Sequence, residues 1–167
     1  MIKILADTSA LVSLEIKHFV GLASKYIQFS ISDGVLKELQ DIAQFNDVHA
    51  KSARDVLELV EKNIIAVRPM PAREEHSQNI DLGEAEILTL SESGEYEYII
   101  TDDVKALPYI KSVANVKVFT SVFIIRLLYD INVVSKEEAL NSIKEISASR
   151  DWYGGMLETI ANRFFDH

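Results

Sequence analysis

Apolar residues along the chain recur with two alternating periods. Ile2 to Ala6 is a compact apolar run ended by Asp7-Thr8-Ser9, the composition of a strand feeding a helix N-terminus. Residues 10–24 place Leu11, Leu14, Phe19 and Leu22 in an imperfect helical pattern. Tyr26 to Ile31 alternates at period two, which predicts a second strand. Ser32-Asp33-Gly34 then supplies cap residues, and Val35, Leu36, Leu39 and Ile42 share one helical face. Ala53, Val56, Leu57 and Val60 mark another helix, and Ile64 to Val67 a short strand stopped by Pro69 and Pro71. Residues 68–80 mix Pro, Arg, Glu, His, Ser, Gln and Asn and read as a loop. The pattern then predicts a helix over Leu82 to Ser93, a strand over Tyr98 to Thr101, a helix over Val104 to Val113 and a last strand over Val116 to Phe119. Helices over Ser121 to Tyr129, Lys136 to Ser147 and Met156 to Phe165 close the chain without a further strand.

Strands separated by helices imply a parallel sheet covered on both faces. The expected fold is a three-layer α/β/α domain with about five strands, spanning residues 1–167, with a core over about 1–120 and a helical C-terminal extension over about 121–167. Composition narrows the class. At 48% hydrophobic and 26% charged residues, the chain of 167 residues can bury a core without being a membrane protein. Its longest run free of charge, Val118 to Ile125, falls far short of the roughly 20 residues that span a bilayer. Asp7 interrupts the N-terminal apolar run before a signal-peptide core is complete, so a cytoplasmic protein is expected. The absence of cysteine excludes disulfides, thiol catalysis and thiolate metal sites. A formal net charge of −9 argues against a broad phosphate-gripping surface.

The carboxylates carry the chemistry. In an open parallel sheet, ligands bind beyond the carboxyl ends of the strands, where neighbouring connections diverge. Asp7 follows the first strand and Asp102-Asp103 follow the strand over Tyr98 to Thr101. Each alone is also what a helix N-cap looks like. Glu38 lies about 60° from Val35 and about 40° from Ile42 on the helical wheel, at the border of the apolar stripe. Asp81-Leu82-Gly83-Glu84 has capping-box spacing, yet the helix it starts is apolar nearly all round, so at least one of Glu84 and Glu86 faces a partly buried setting. No Lys or Arg lies between Arg73 and Lys105 to neutralise it. A divalent cation is the economical partner, and hard oxygen ligands without His or Cys select Mg²⁺ or Mn²⁺. Such a cluster suits metal-dependent hydrolysis of a phosphodiester.

At these residues the sequence resembles the PIN domain nucleases. Ile4 to Leu11, with Asp7 and its following hydroxyls, is similar to the opening strand of that family, and Val35 to Leu39 to the helix bearing its second acid. Leu82-Gly83-Glu84-Ala85-Glu86-Ile87 resembles the Gly-Glu-Ala-Glu form of the third motif found in one branch of small prokaryotic PIN proteins. Ile99 to Asp103 resembles the fourth, and Phe119-Thr120-Ser121 the closing strand. The resemblance implies an RNA-cleaving enzyme using Mg²⁺ or Mn²⁺, with Asp7, Glu38, Glu84 and Asp103 as catalytic and metal-binding acids and Asp102 as an auxiliary ligand. Thr8 or Ser9 would hydrogen-bond within the site, and Glu86 is the alternative to Glu84. It further implies a toxin-type role with an antitoxin or other protein partner, and a homodimer. The rival class is a non-catalytic PIN-like module that binds RNA or a protein.

Three other sheets fail on residues. A haloacid dehalogenase phosphatase wants Asp-x-Asp, but position 9 is Ser; a receiver wants Asp after the third strand and Lys after the fifth; a nucleotide-binding sheet wants glycine in the first turn. The scattered His18, His49, His76 and His167 read as surface residues, and Trp152-Tyr153 as an aromatic anchor for the last helix or a base-stacking pair. If two divalent ions cancel four site carboxylates, the charge left still disfavours a broad grip on RNA, so phosphate contacts fall to the metal and to local bases.

Overall fold

The computed structural model describes residues 1–150 and 155–166; Trp152, Tyr153 and His167 lie outside them. Five parallel strands, β1 (Ile2–Ala6), β2 (Ile27–Ile31), β3 (Ala66–Val67), β4 (Tyr98–Ile100) and β5 (Lys117–Phe119), form one sheet in the order β3-β2-β1-β4-β5. The central strand is set by its register: Ile2 pairs with Ile27 on one side, and Ile4 with Tyr98 on the other. Ile4, Leu5 and Ala6 have no solvent exposure, as a strand covered on both faces requires.

Ten helices connect and cover these strands among the described residues: α1 (Thr8–Glu15), α2 (Phe19–Ala23), α3 (Asp33–Ile42), α4 (Val48–Glu61), α5 (Glu74–Ser77), α6 (Leu82–Ser91), α7 (Leu107–Val113), α8 (Val122–Asp130), α9 (Lys136–Arg150) and α10 (Met156–Phe165). The chain steps from β1 outward to β2 and β3, then returns to β4 and steps outward the other way to β5. Right-handed crossovers therefore put α1–α4 on one face and α5–α7 on the other. The C-terminal helices return to the first face, where α9 packs on α1 and α8 on α2. None of the described helices is long and apolar enough to cross a membrane.

Several elements differ in detail from the sequence expectation, each for a local reason. The imperfect pattern over 10–24 is two helices, because His18 adopts a left-handed conformation (φ 57°) and Glu15 turns back to accept the Val20 N–H at 3.1 Å. The third strand keeps only two ladder residues before Pro69. The loop over 68–80 contains one helical turn, α5, and His76 within it is buried rather than on the surface. Its ring nitrogens face the Tyr109 hydroxyl at 3.0 Å and Glu92 Oε1 at 3.3 Å. Helix α9 runs three residues past Ser147, to Arg150.

Candidate active site

The connections of β1 and β4 leave the sheet toward opposite faces, so the crevice beyond their carboxyl ends is its switch point. Asp7 caps α1 there, directly beside the end of β4: its N–H donates to the Ile100 carbonyl at 2.9 Å. Oδ2 of Asp7 accepts from the Ser9 hydroxyl at 2.6 Å and the Thr101 hydroxyl at 2.9 Å. The Ser9 hydroxyl oxygen also accepts from the Asp102 N–H at 2.9 Å, and Thr101 Oγ1 accepts from the Asp103 N–H at 3.1 Å. Two hydroxyls thus stitch the ends of the two strands together and fix the Asp7 rotamer. Thr8 serves another acid, donating to Glu38 Oε2 at 2.6 Å. The sequence reading offered Thr8 or Ser9 as the hydroxyl of the site; both are used, each on a different carboxylate.

A cleft of about 200 Å³ opens at this edge, lined by Asp7, Glu38, Asp81, Glu84, Asp103 and Arg150 among others. All four expected acids reach it. Carboxylate oxygens of Asp81, Glu84 and Asp103 lie within 4.8 Å of one another, close enough to share one ion. Glu84 is buried and Asp103 half-buried, whereas Asp81 is exposed. Burial, reinforced by the neighbouring charges of Asp7 and Asp103, pushes the Glu84 carboxyl from an ordinary 4.5 up to about 8. Burial likewise raises Asp7 and Glu38, against the lowering effect of their hydroxyl partners.

The paired acids separate sharply. Glu86 accepts the Gly34 N–H at 2.6 Å, so it holds the N-terminus of α3 and is absent from the cleft lining. Asp102 is also outside the lining: Ser121 donates its N–H to Oδ1 and its hydroxyl to Oδ2, both at 2.7 Å. Asp103 lines the cleft, with Oδ1 accepting the N–H groups of Lys105 and Ala106 at 2.8 and 3.1 Å. The glycine between Asp81 and Glu84 has a steric reason. A Cβ on Gly83 would lie 2.7 Å from Glu38 Oε1, and one on Gly34 would lie 3.0 Å from the Gly83 Cα. The two glycines let α3 and α6 cross closely enough to bring Glu38 over α6.

A family model described as a PIN domain matches residues 3–158. The chain belongs to the PIN domain family. PIN domains are generally nucleases and typically use divalent metals, so the acidic cleft sits on a nuclease-type fold. No curated protein matches the chain.

The site also contains two groups that sequence reasoning did not assign to it. Asp81 reads as a cap, and it does belong to one: Glu84 Oε2 accepts its N–H at 3.2 Å. Both residues also line the cleft. Arg150, the last residue of α9, arrives from the C-terminal extension with no motif around it. A second grouping, Glu15, His18 and Asp55, has structural employment: Glu15 holds α2, and Asp55 pairs with Lys51 at 2.9 Å.

Proposed function

We propose that this PIN domain is a Mg²⁺- or Mn²⁺-dependent endoribonuclease whose principal carboxylates are Asp7, Glu38, Glu84 and Asp103, joined by Asp81. The observation that carries this reading is the convergence of Asp81, Glu84 and Asp103 oxygens within 4.8 Å in an open cleft at the switch point. The donors are all hard oxygens, as Mg²⁺ or Mn²⁺ requires. They also fit a cation electrostatically, because without one Glu84 keeps a proton at neutral pH that a bound ion would displace. A divalent cation in this place supplies charge neutralisation at a phosphodiester and activation of the attacking water. The chain's own contribution is orientation: Thr8 holds Glu38, and Ser9 with Thr101 holds Asp7. The proposal extends to a toxin-type enzyme acting on cytoplasmic RNA, a protein antitoxin and a homodimer, as the family resemblance implies.

Incubation of the purified protein with mixed RNAs and Mg²⁺ or Mn²⁺, beside Asp7→Asn, tests the reading. Cleavage that requires the metal and falls by about 10³-fold or more in the variant is expected. Cleavage that survives the substitution contradicts the mechanism, and binding without cleavage under any divalent ion identifies the non-catalytic module instead.

A further inference from the structure

A chain with net charge −9 must hold RNA through a few well-placed cations, since sequence-independent affinity comes from neutralised phosphates. The carboxylate cleft contains one. Among its described lining residues Arg150 is the only basic side chain, half-buried beside Asp7, Glu38, Asp81, Glu84 and Asp103. Its position is fixed from two directions: α9 packs on α1, whose first turn carries Thr8 and Ser9, and the carbonyl of Ser149 lies 3.0 Å from His49 Nε2 near the start of α4. A second depression of about 180 Å³ adjoins the cleft, because Asp81, Glu84 and Asp103 line both. It is bordered on its own side by Asn79, Ile80 and the exposed Lys105. The shared carboxylates therefore stand between a cation supplied by the C-terminal extension and one supplied by the loop between β4 and α7.

We infer that a single-stranded RNA crosses the carboxylates between these two cations, with a backbone phosphate held by Arg150 and another on the far side by Lys105. This rests on the ribonuclease reading and adds the residues that hold its substrate. Arg150 suits the first position because its planar fork donates two parallel hydrogen bonds to a phosphate. It also answers the charge problem: a cation lining an acidic cleft is attractive to a polyanion only locally, so the rest of the surface can remain acidic. Within the folded chain burial raises the Asp102 carboxyl, and Arg150 is a minor influence against that rise, behind the Ser121 and Ser13 hydrogen bonds. A purely structural counter-charge would do the same, so the test needs a readout that this alternative leaves unmoved.

That readout is the salt dependence of RNA binding. A fluorescein-labelled single-stranded RNA is titrated with Mn²⁺-supplemented Asp7→Asn protein by anisotropy at several salt concentrations, alone and combined with Arg150→Gln, Arg150→Lys or Lys105→Gln. Arg150→Gln is expected to weaken binding by about tenfold and to reduce the log–log salt slope by about 0.9, one phosphate contact. Lys105→Gln reduces the slope by the same amount with a loss of about threefold, and Arg150→Lys keeps the slope while losing about threefold through the missing fork. Mn²⁺ affinity, read by calorimetry, rises in Arg150→Gln because a like charge has left the cleft. Unchanged RNA affinity and salt slope in Arg150→Gln, in a protein that cuts RNA as wild type, overturns the assignment of Arg150. A wild-type protein that neither binds nor cuts any RNA overturns the ribonuclease reading itself.

Discussion

The two halves of the cleft are built from the same residue type and held in opposite ways. On the α1 side, Asp7 and Glu38 each accept short hydrogen bonds from hydroxyls of Thr8, Ser9 and Thr101. On the α6 side, Asp81, Glu84 and Asp103 face one another, and Glu84 and Asp103 accept from the backbone N–H groups of Asp81, Lys105 and Ala106 rather than from hydroxyls. Neutral donors can orient a carboxylate without cancelling its charge. The α1 half is thus oriented by hydroxyls of the fold itself, whereas the α6 half sets three carboxylates against one another; burial raises Asp7, Glu38 and Glu84 alike, and at Glu84 the neighbouring charges of Asp7 and Asp103 add to it. On the proposed function this contrast divides the work: Asp7 and Glu38 are oriented by hydroxyls, and Asp81, Glu84 and Asp103 stand close enough to share an ion.

The largest expected effects come from dismantling the α6 half. Asp103→Asn and Glu84→Gln should each lower Mn²⁺ affinity by about 100-fold and cleavage by about 10³-fold, measured by calorimetry and by turnover on a labelled RNA. Thr8→Val and Ser9→Ala remove only the positioning hydroxyls and should cost about 10-fold to 100-fold in either quantity. Equal losses from the two sets would erase the distinction between the halves.

A smaller effect of opposite sign concerns stability without metal. The Glu84 carboxyl titrates near 8 in the folded chain and near 4.5 when unfolded, so the folded state binds an extra proton between those values. Its contribution to stability is complete below about pH 4.5 and is lost as pH rises through 8. Metal-free Glu84→Gln should accordingly melt higher than wild type above pH 8, by about 1 to 2 kcal/mol after allowance for solvent screening, and the gap should close toward pH 5. Thermal melts in chelator across this range check it; a gap that is constant with pH contradicts the stressed state of Glu84.

The smallest effect belongs to Glu86, two residues away. Because its carboxylate serves the α3 N-terminus through the Gly34 N–H, Glu86→Gln should destabilise the protein by about 1 kcal/mol and leave Mn²⁺ affinity unchanged. Calorimetry beside a melt separates the two roles.

Much of this was visible in the chain's own pattern, and the exceptions share a cause. The succession of strands and helices, the acids Asp7 and Asp102-Asp103 at the strand ends, and the border position of Glu38 follow from periodicity and from the rule for parallel sheets. Periodicity alone does not separate Glu84 from Glu86, and only the family resemblance put Glu84 first, because α6 is buried on nearly all sides and which face meets the cleft depends on how it crosses α3 at Gly34 and Gly83. Asp102 and Asp103 differ by the reach of Ser121, nineteen residues on, which only the β4–β5 pairing brings near. Asp81 was hidden by its own adequate local role as a cap. Arg150 had no local signature at all, since its place depends on how the C-terminal helices fold back onto α1. His76, with a polar loop around it, looked exposed because its partners Tyr109 and Glu92 are remote in sequence. Local chemistry is written in local sequence; the choice between adjacent, identical side chains is made by tertiary contacts.

The claim at the centre of this account is that a divalent ion enters at Glu84 and displaces its proton. Calorimetric titration of the metal-free protein with Mn²⁺ at pH 7, repeated in buffers of different ionisation enthalpy, counts the protons released. The account predicts release of about one proton per ion from wild type, with affinity rising about tenfold per pH unit until about pH 8, and loss of that release in Glu84→Gln. Mn²⁺ binding with no proton release, and with the same affinity in Glu84→Gln, would contradict it.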